Sequence, residues 1–280
     1  MKADTDFSKR IGFLRQALSE ADSIIIGAGS GLSTAAGLDY AGADFRREFA
    51  PWITRYGITD LYTSGFYPWE SDEEKWAYWA KHIWFSRYMT GPTALYKTLC
   101  DKLSPLNSFV VTTNTDGQFE QAGFPQECLF ATQGDYRWFQ PASGSPKILI
   151  DNRAGVFDVL PLIENCRIPT ERIPTMPDGS PVAMNLRIDE TFVEDFHWHR
   201  QAGRYSDFVS EAAQGKLLLL EFGIGYNTPA IIRLPFEQMA QKFPDTTLVR
   251  FNRDNPEPYI DNLPRFVAFT EEIAAILDRL

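Results

Sequence analysis

"ADSIIIGAGSGLSTAAGLDY", residues 21–40, holds a short continuous apolar run, a glycine-rich turn and the start of a helix. A short apolar run bounded by turn residues fits a strand covered on both faces. The same pattern returns in "SFVVTTNTDGQFEQAG" (108–123), "GKLLLLEFGIGYNTP" (215–229), "TTLVRFNRDNPEP" (246–258) and "RFVAFTEEIAAILDRL" (265–280). Ahead of the first run, Phe7, Ile11, Leu14 and Leu18 recur at helical spacing. Strands alternating with helices predict an α/β fold with a parallel sheet and helices on both faces.

The middle of the chain differs. "WITRYGITDLYTSGFYPWESDEEKWAYWAKHIWFSRYM" (52–89) is dense in aromatic residues and helical in its second half, which fits the core of a small helical module. Residues 136–190 are rich in turn formers. "RIPTERIPTMPDGSPVAMN" (167–185) in particular is broken by proline and glycine, so no regular element is expected there and the segment reads as an irregular lobe.

The chain has 280 residues, 44% of them hydrophobic, enough for a full core in one large domain or two modest ones. A formal charge of −10 argues against a general nucleic-acid binder, which needs clustered cations to neutralise phosphates. No apolar stretch reaches the roughly 20 residues of a membrane helix, and "MKADTDFSKR" lacks a signal-peptide core, so a soluble cytoplasmic protein is expected. The three cysteines Cys100, Cys128 and Cys166 lie far apart and encode neither a disulfide framework nor a cysteine zinc site. His197 and His199 lack a third metal ligand nearby.

In an open parallel sheet, ligands bind beyond the carboxyl ends of the strands. The residues that follow the apolar runs are Gly27, Ala28, Gly29 and Ser30, then Asn114 and Asp116, then Gly223 and Gly225, then Asn252. Glycines let backbone approach a pyrophosphate closely. "GAGSG" nevertheless fails the dehydrogenase fingerprint: its third glycine is misplaced, and no acidic residue about 20 residues on stands at a second strand end. That separates a nucleotide that is consumed from one that carries hydride.

Together, "GAGSGLSTAAGLDYAGADFR" (27–46) and "TTNTDGQ" (112–118) resemble the sirtuin pattern, and "FGIGYNTPA" (222–230) and "RFN" (250–252) are similar to its later segments. The resemblance runs the length of the chain in order. It implies a single sirtuin-type domain over 1–280. A Rossmann-like lobe would take approximately 1–40, 91–135 and 200–280, and a smaller lobe 41–90 and 136–199. NAD would lie between them and be consumed by cleavage of its nicotinamide–ribose bond. By position, Gly27, Ala28 and Gly29 would face the phosphates, with Ser30 and Ser33 beside them. Tyr40, Phe45 and Arg46 would belong to the cofactor loop, whose acidic group is Asp39 or Asp44. Thr113, Asn114 and Asp116 would hold the nicotinamide ribose and amide. Gly223, Ile224, Gly225, Asn252 and Arg253 would hold the diphosphate and adenosine ribose.

Two departures from the pattern matter. Deacylating sirtuins place a histidine base where "ATQGDYRWF" (131–139) has Gln133, and an amide cannot take a proton. The small lobe keeps only Cys166 where family members commonly have two Cys-x-x-Cys pairs, so a four-cysteine zinc site is excluded. Both departures resemble the macrodomain-linked class M sirtuins. That likeness implies protein mono-ADP-ribosylation, with Asn114, Asp116 and Gln133 as the catalytic set, NAD as co-substrate and no zinc. It further implies a lipoylated glycine-cleavage H-like carrier as substrate and a functional link to a macrodomain de-ADP-ribosylase. A deacylase with another base, a non-catalytic NAD sensor and a hydride-transfer enzyme are the alternatives.

Overall fold

A computed structural model describes residues 6–225 and 229–280. Its centre is a six-stranded sheet in which every pairing is parallel. The order is β3 (Leu129–Ala131), β2 (Ser108–Thr112), β1 (Ser23–Ala28), β7 (Leu217–Phe222), β8 (Thr246–Phe251), β9 (Phe266–Phe269). β1, β2, β7 and β8 are buried at every position, as continuous apolar runs require when helices cover both faces. One face packs Ile24, Ile26, Leu218 and Leu220 against the helices Phe7–Glu20 and Ala94–Leu103. The other packs Ile25, Leu217, Leu219 and Leu248 against Phe196–Ala212 and Arg233–Lys242. Each such leucine or isoleucine contributes about 1.5–3 kcal/mol on burial.

A network of charged side chains is buried in this core. Arg250 on β8 forks onto Glu221 of β7 at 2.8 and 2.9 Å and reaches Glu237 at 2.7 Å, with all three side chains fully buried. Removing one member would leave an unpaired buried charge, a loss of about 3–5 kcal/mol.

The aromatic stretch forms a separate core, as its composition predicts. Phe45, Phe49, Trp52, Trp76, Tyr78, Trp79 and Phe85 are buried together with Tyr136, Phe139 and Met184. The helix Asp72–Ile83 continues directly into a π-helical turn, Trp84–Met89.

The expectation of an irregular segment over residues 136–190 is corrected. β4 (Gly134–Pro141) forms an antiparallel sheet with β5 (Ile150–Asp151) and β6 (Val182–Leu186). β6 lies within the proline-broken stretch and pairs with a strand more than 40 residues earlier. Long-range bonds fix it: Asn185 Nδ2 donates to Gln140 Oε1 at 2.8 Å and to the Val193 carbonyl at 3.1 Å. Local composition carries no signal for such a partner.

Candidate active site

The carboxyl ends of β1 and β2 open into a cavity of about 690 Å³. One part of its wall comes from Ser30, Ser33, Asp39, Tyr40, Thr113 and Asn114. Another is apolar and comes from the second core and its rim, with Leu61, Trp76, Trp79, Tyr136 and Met184. Gln133 also lines the cavity, at the end of the β3 edge strand where the chain turns into β4.

Asn114 leaves β2 with its backbone N–H bonded to Thr112 Oγ1 at 3.0 Å. Its side-chain nitrogen donates to the Gly29 carbonyl at 3.0 Å, which fixes the amide orientation because a carbonyl only accepts. The same nitrogen lies 3.1 Å from Ser33 Oγ and from Tyr96 Oη. Among the described residues, Oδ1 has no hydrogen bond, so an acceptor oxygen is left for a hydroxyl of a ligand.

Beneath the wall, Ser33 Oγ donates to Asp116 Oδ2 at 2.5 Å and accepts from Tyr96 Oη at 2.9 Å. The Gln118 N–H donates to Asp116 Oδ1 at 3.0 Å. Asp116 is buried, and that burial raises its carboxyl pKa against the opposing pull of the Ser33 and Gln118 hydrogen bonds. Asp116 thus acts through Ser33 on the wall and does not form the wall itself.

Gln133 is held by its backbone, whose carbonyl accepts from the Arg187 N–H at 3.0 Å. The next residue, Gly134, has φ +90° and lies so close to the Asn185 carbonyl that no Cβ fits. The turn is therefore rigid, while the Gln133 side-chain amide has no hydrogen-bond partner among the described residues. Arg187 also lines the cavity, with Nη2 donating to Glu194 at 2.5 Å and its guanidinium 5.3 Å from the Trp198 ring.

His82 is the one histidine in the cavity wall among the described residues. Its Nδ1 lies 3.0 Å from Tyr78 Oη, its ring stacks on Trp79 at 4.9 Å, and Nε2 has no partner. Burial pushes its pKa down to about 3, so the imidazole is neutral.

The remaining expected residues fall elsewhere. Gly27 packs under the helix Arg233–Lys242 and the residue before it, where a Cβ would come within 2.5 Å of Ile232 and 2.7 Å of Phe236. Ala28 is buried, and its carbonyl accepts from Thr113 N at 3.0 Å. Gly29 donates its N–H to the Phe222 carbonyl at 3.0 Å. Gly27 is thus packed against that helix, Ala28 is bonded to the residue after β2, and Gly29 is bonded to the end of β7. Phe45 is 1% exposed and stacks on Phe49 at 5.1 Å, inside the aromatic core and away from the cavity. Arg46 is exposed and donates to the Ala41 carbonyl at 2.6 Å. Of the two acidic candidates, Asp39 lines the cavity, whereas Asp44 pairs with Arg47 at 2.5 Å on the surface.

Gly223, Ile224 and Asn252 lie at the neighbouring strand ends, since Ala28, Phe222 and Phe251 are in register across β1, β7 and β8. Asn252 Nδ2 donates to the Ile224 carbonyl at 2.8 Å and ties the two loops together. Gly223, at φ +61°, lies against Gly31 and Leu32 too closely for a side chain. Gly225 is exposed with open space around it, and Arg253 is exposed and paired with Asp254 at 3.3 Å. Residues 226–228 of the segment that resembles a diphosphate loop lie outside the described residues.

Comparison with known proteins agrees with this arrangement. A protein ADP-ribosyltransferase of Staphylococcus aureus (strain Mu50) is 29% identical over 273 residues, covering 96% of this chain and 86% of that protein. A probable bifunctional ADP-ribose hydrolase/ADP-ribosyltransferase of Fusarium oxysporum f. sp. cubense is 31% identical over 244 residues, 83% of this chain and 40% of the relative. The chain is similar over nearly its whole length to a protein ADP-ribosyltransferase and has the fold of the sirtuins. Sirtuin structures share the fold. A Sir2 complex with a p53 peptide and NAD+ superposes with TM-score 0.55 at 14% identity, covering 96% of this chain and 95% of that one. A sirtuin solved to explain substrate affinity gives 0.58 at 17% identity, with 96% of each chain covered. No protein-family model matches the chain.

The chain has no group of three or more His, Cys, Asp or Glu placed to hold a metal among its described residues. Cys166 is 4% exposed within the aromatic core. Among the described residues no helix is long and apolar enough to cross a membrane. Sequence reasoning missed Tyr96, which anchors Asn114, and Tyr136, which stands beside His82 at 4.9 Å. Both are core-like aromatics with no local mark of their role.

Proposed function

We propose that this protein transfers a single ADP-ribosyl group from NAD directly to a side chain of a lipoylated, H-like carrier protein. NAD supplies the activated ribose carbon and nicotinamide as a neutral leaving group. The carrying observation is Gln133: its amide stands in the cavity wall with no partner among the described residues, where a deacylase needs a base. Asn114 Oδ1 orients a ribose hydroxyl, and Ser33, backed by buried Asp116, adds a second polar contact. Fixed dipoles of this kind favour positive charge growing at C1′ because they need no reorganisation when the bond breaks. Gln133 orients the acceptor, which brings its own nucleophilic atom.

His82 does not rescue a deacylase mechanism. A base with a pKa of about 3 is too weak to draw a proton from a ribose hydroxyl at neutral pH. The apolar part of the cavity, with Trp76, Trp79, Tyr136 and Met184, suits a long apolar arm. Arg172 on the surface supplies a cation for carboxylates of an acidic carrier, whereas Arg187 at the cavity wall is engaged with Glu194. Trp84 and Phe85 contribute less: Phe85 is core, and Trp84 is covered by Lys81 Nζ at 4.1 Å from its ring centre. Arg167 is engaged with Glu73 and Glu74. A macrodomain-type hydrolase would reverse the modification, and the Fusarium relative bears both activities in its name.

The test compares apo and lipoylated carrier with the same enzyme and labelled NAD. Labelling confined to the lipoylated form is expected. Equal labelling of both forms refutes the lipoyl requirement, and labelling of neither refutes this partner.

A further inference from the structure

The loops that carry Asn114, Asp116 and Gln133 follow the neighbouring strands β2 and β3, and one guanidinium bridges the segments beyond them. Arg87 lies in the π-helical turn Trp84–Met89 and is 5% exposed. Its Nε donates to Asp135 Oδ1 at 2.8 Å, two residues beyond Gln133. Its Nη2 donates to Glu120, on the helix that follows Asp116. The guanidinium fills the space beside Gly117, the residue after Asp116, so closely that Gly117, at φ +65°, has no room for a Cβ.

Further bonds close the same circuit. Gln121 Nε2 donates to the Arg87 carbonyl at 3.1 Å and to the Asp116 carbonyl at 3.2 Å. Arg137 Nη1 donates to Glu120 Oε1 at 2.9 Å, and the Arg137 N–H donates to Asp135 Oδ1 at 2.7 Å. The Tyr136 N–H donates to the Thr115 carbonyl at 2.9 Å, and the Thr132 N–H, just before Gln133, donates to the Thr112 carbonyl at 2.9 Å. A π-turn adds one residue to a helical turn, re-aims the side chains that follow and recurs at functional sites. Here it sits where the aromatic module must hand a side chain to both loops.

We propose that Arg87 is a positioning residue: its fork holds the Asn114–Asp116 loop and the Gln133 turn in one register, and so sets the acceptor-side amide relative to the ribose-side amide. The proposal rests on the transferase role of Gln133 given above. Transfer demands that the acceptor and the ribose carbon meet in a defined geometry, whereas attack by water does not. Loosening the fork therefore reduces transfer more than it reduces cleavage of NAD. Lysine retains the charge of Arg87 and loses the fixed two-armed geometry.

Full-length Arg87→Lys, Asp135→Asn and the double variant are compared with the parent protein, with protein-bound and free ADP-ribose both measured from labelled NAD. Each single variant is expected to keep KM for NAD within about twofold, slow transfer by about 10- to 100-fold, and raise the ratio of free to bound ADP-ribose. The double variant is expected to be no worse than the weaker single, because both changes break one link. Bound and free product falling together in proportion to the folded fraction, or additive losses in the double variant, overturn the proposal. A second arm needs no turnover: the Gln133 side-chain amide is followed by NMR in protein labelled with 15N-glutamine, with and without ADP-ribose. The response is expected in the parent and lost in Arg87→Lys, and equal responses overturn the proposal. A parent protein that shows the response yet labels no acceptor refutes the transferase role and leaves the positioning link supported.

Discussion

Acidification from pH 7.5 to 5 should weaken this protein through one imidazole. His82 is 1% exposed, and burial among Trp79, Tyr78 and Tyr136 lowers its pKa to about 3. In the unfolded chain the same group takes its proton near pH 6.5. The unfolded state therefore binds the proton first, so the contribution to stability is whole above about pH 6.5 and falls as pH drops toward about 3. The full difference amounts to about 5 kcal/mol at 1.36 kcal/mol per unit, and about 2 kcal/mol of it is gone at pH 5. Burial raises the pKa of Asp116, Asp135 and Glu221, and that linkage has the opposite sign because the folded state binds those protons first. The comparison must therefore isolate His82. In His82→Phe the ring stack on Trp79 is kept, the Tyr78 bond is lost at every pH, and the carboxyl contributions remain. Urea unfolding of both proteins at pH 7.5, 6 and 5 measures the difference. The stability gap should change by about 2 kcal/mol in favour of the variant between pH 7.5 and 5. A gap that stays constant would refute the buried neutral imidazole.

Other consequences follow from the site. Asn114→Ala should abolish ADP-ribose transfer while costing about 1–2 kcal/mol of stability from the lost bonds to Gly29 and Ser33; transfer at the parental rate would remove Asn114 from the site. Gln133→Ala should slow transfer by about 10- to 1000-fold, whereas Gln133→His should produce no O-acyl-ADP-ribose from an acyl-lysine peptide; full transfer by the alanine variant would make Gln133 a spectator. Chelators should change neither melting temperature nor transfer rate, as measured by calorimetry and label incorporation, because the four thiolates of a structural zinc site are not encoded.

Much of this arrangement is written in the chain. The runs at β1, β2, β7 and β8 are apolar at consecutive positions because both faces of the sheet are covered, so strand type, parallel pairing and the ligand edge follow from sequence. Asn114, Thr113 and Ser30 stand at that edge because a strand end and the turn after it are local features. What escapes is the part decided by partners distant in sequence. β6 exists through Gln140 and Asn185, 45 positions apart. Gly27 is small because the Phe236 ring lies on it, which no turn rule distinguishes from an approaching phosphate. Phe45 sits one residue from exposed Arg46, yet its ring turns into the aromatic core, since burying a phenyl ring outweighs leaving it on a loop. Arg87 reaches acidic partners 33 and 48 residues away from a stretch that reads as aromatic packing.

The central claim is that Gln133 and Asn114 serve direct transfer of ADP-ribose to a protein. Intact mass spectrometry of a lipoylated H-like carrier, incubated with the enzyme and NAD, tests it most directly. One added ADP-ribosyl group per carrier, with nicotinamide released in equal amount and no such product from Asn114→Ala, is the predicted result. Nicotinamide released without any mass added to the carrier, or O-acyl-ADP-ribose formed from an acyl-lysine peptide, would contradict it.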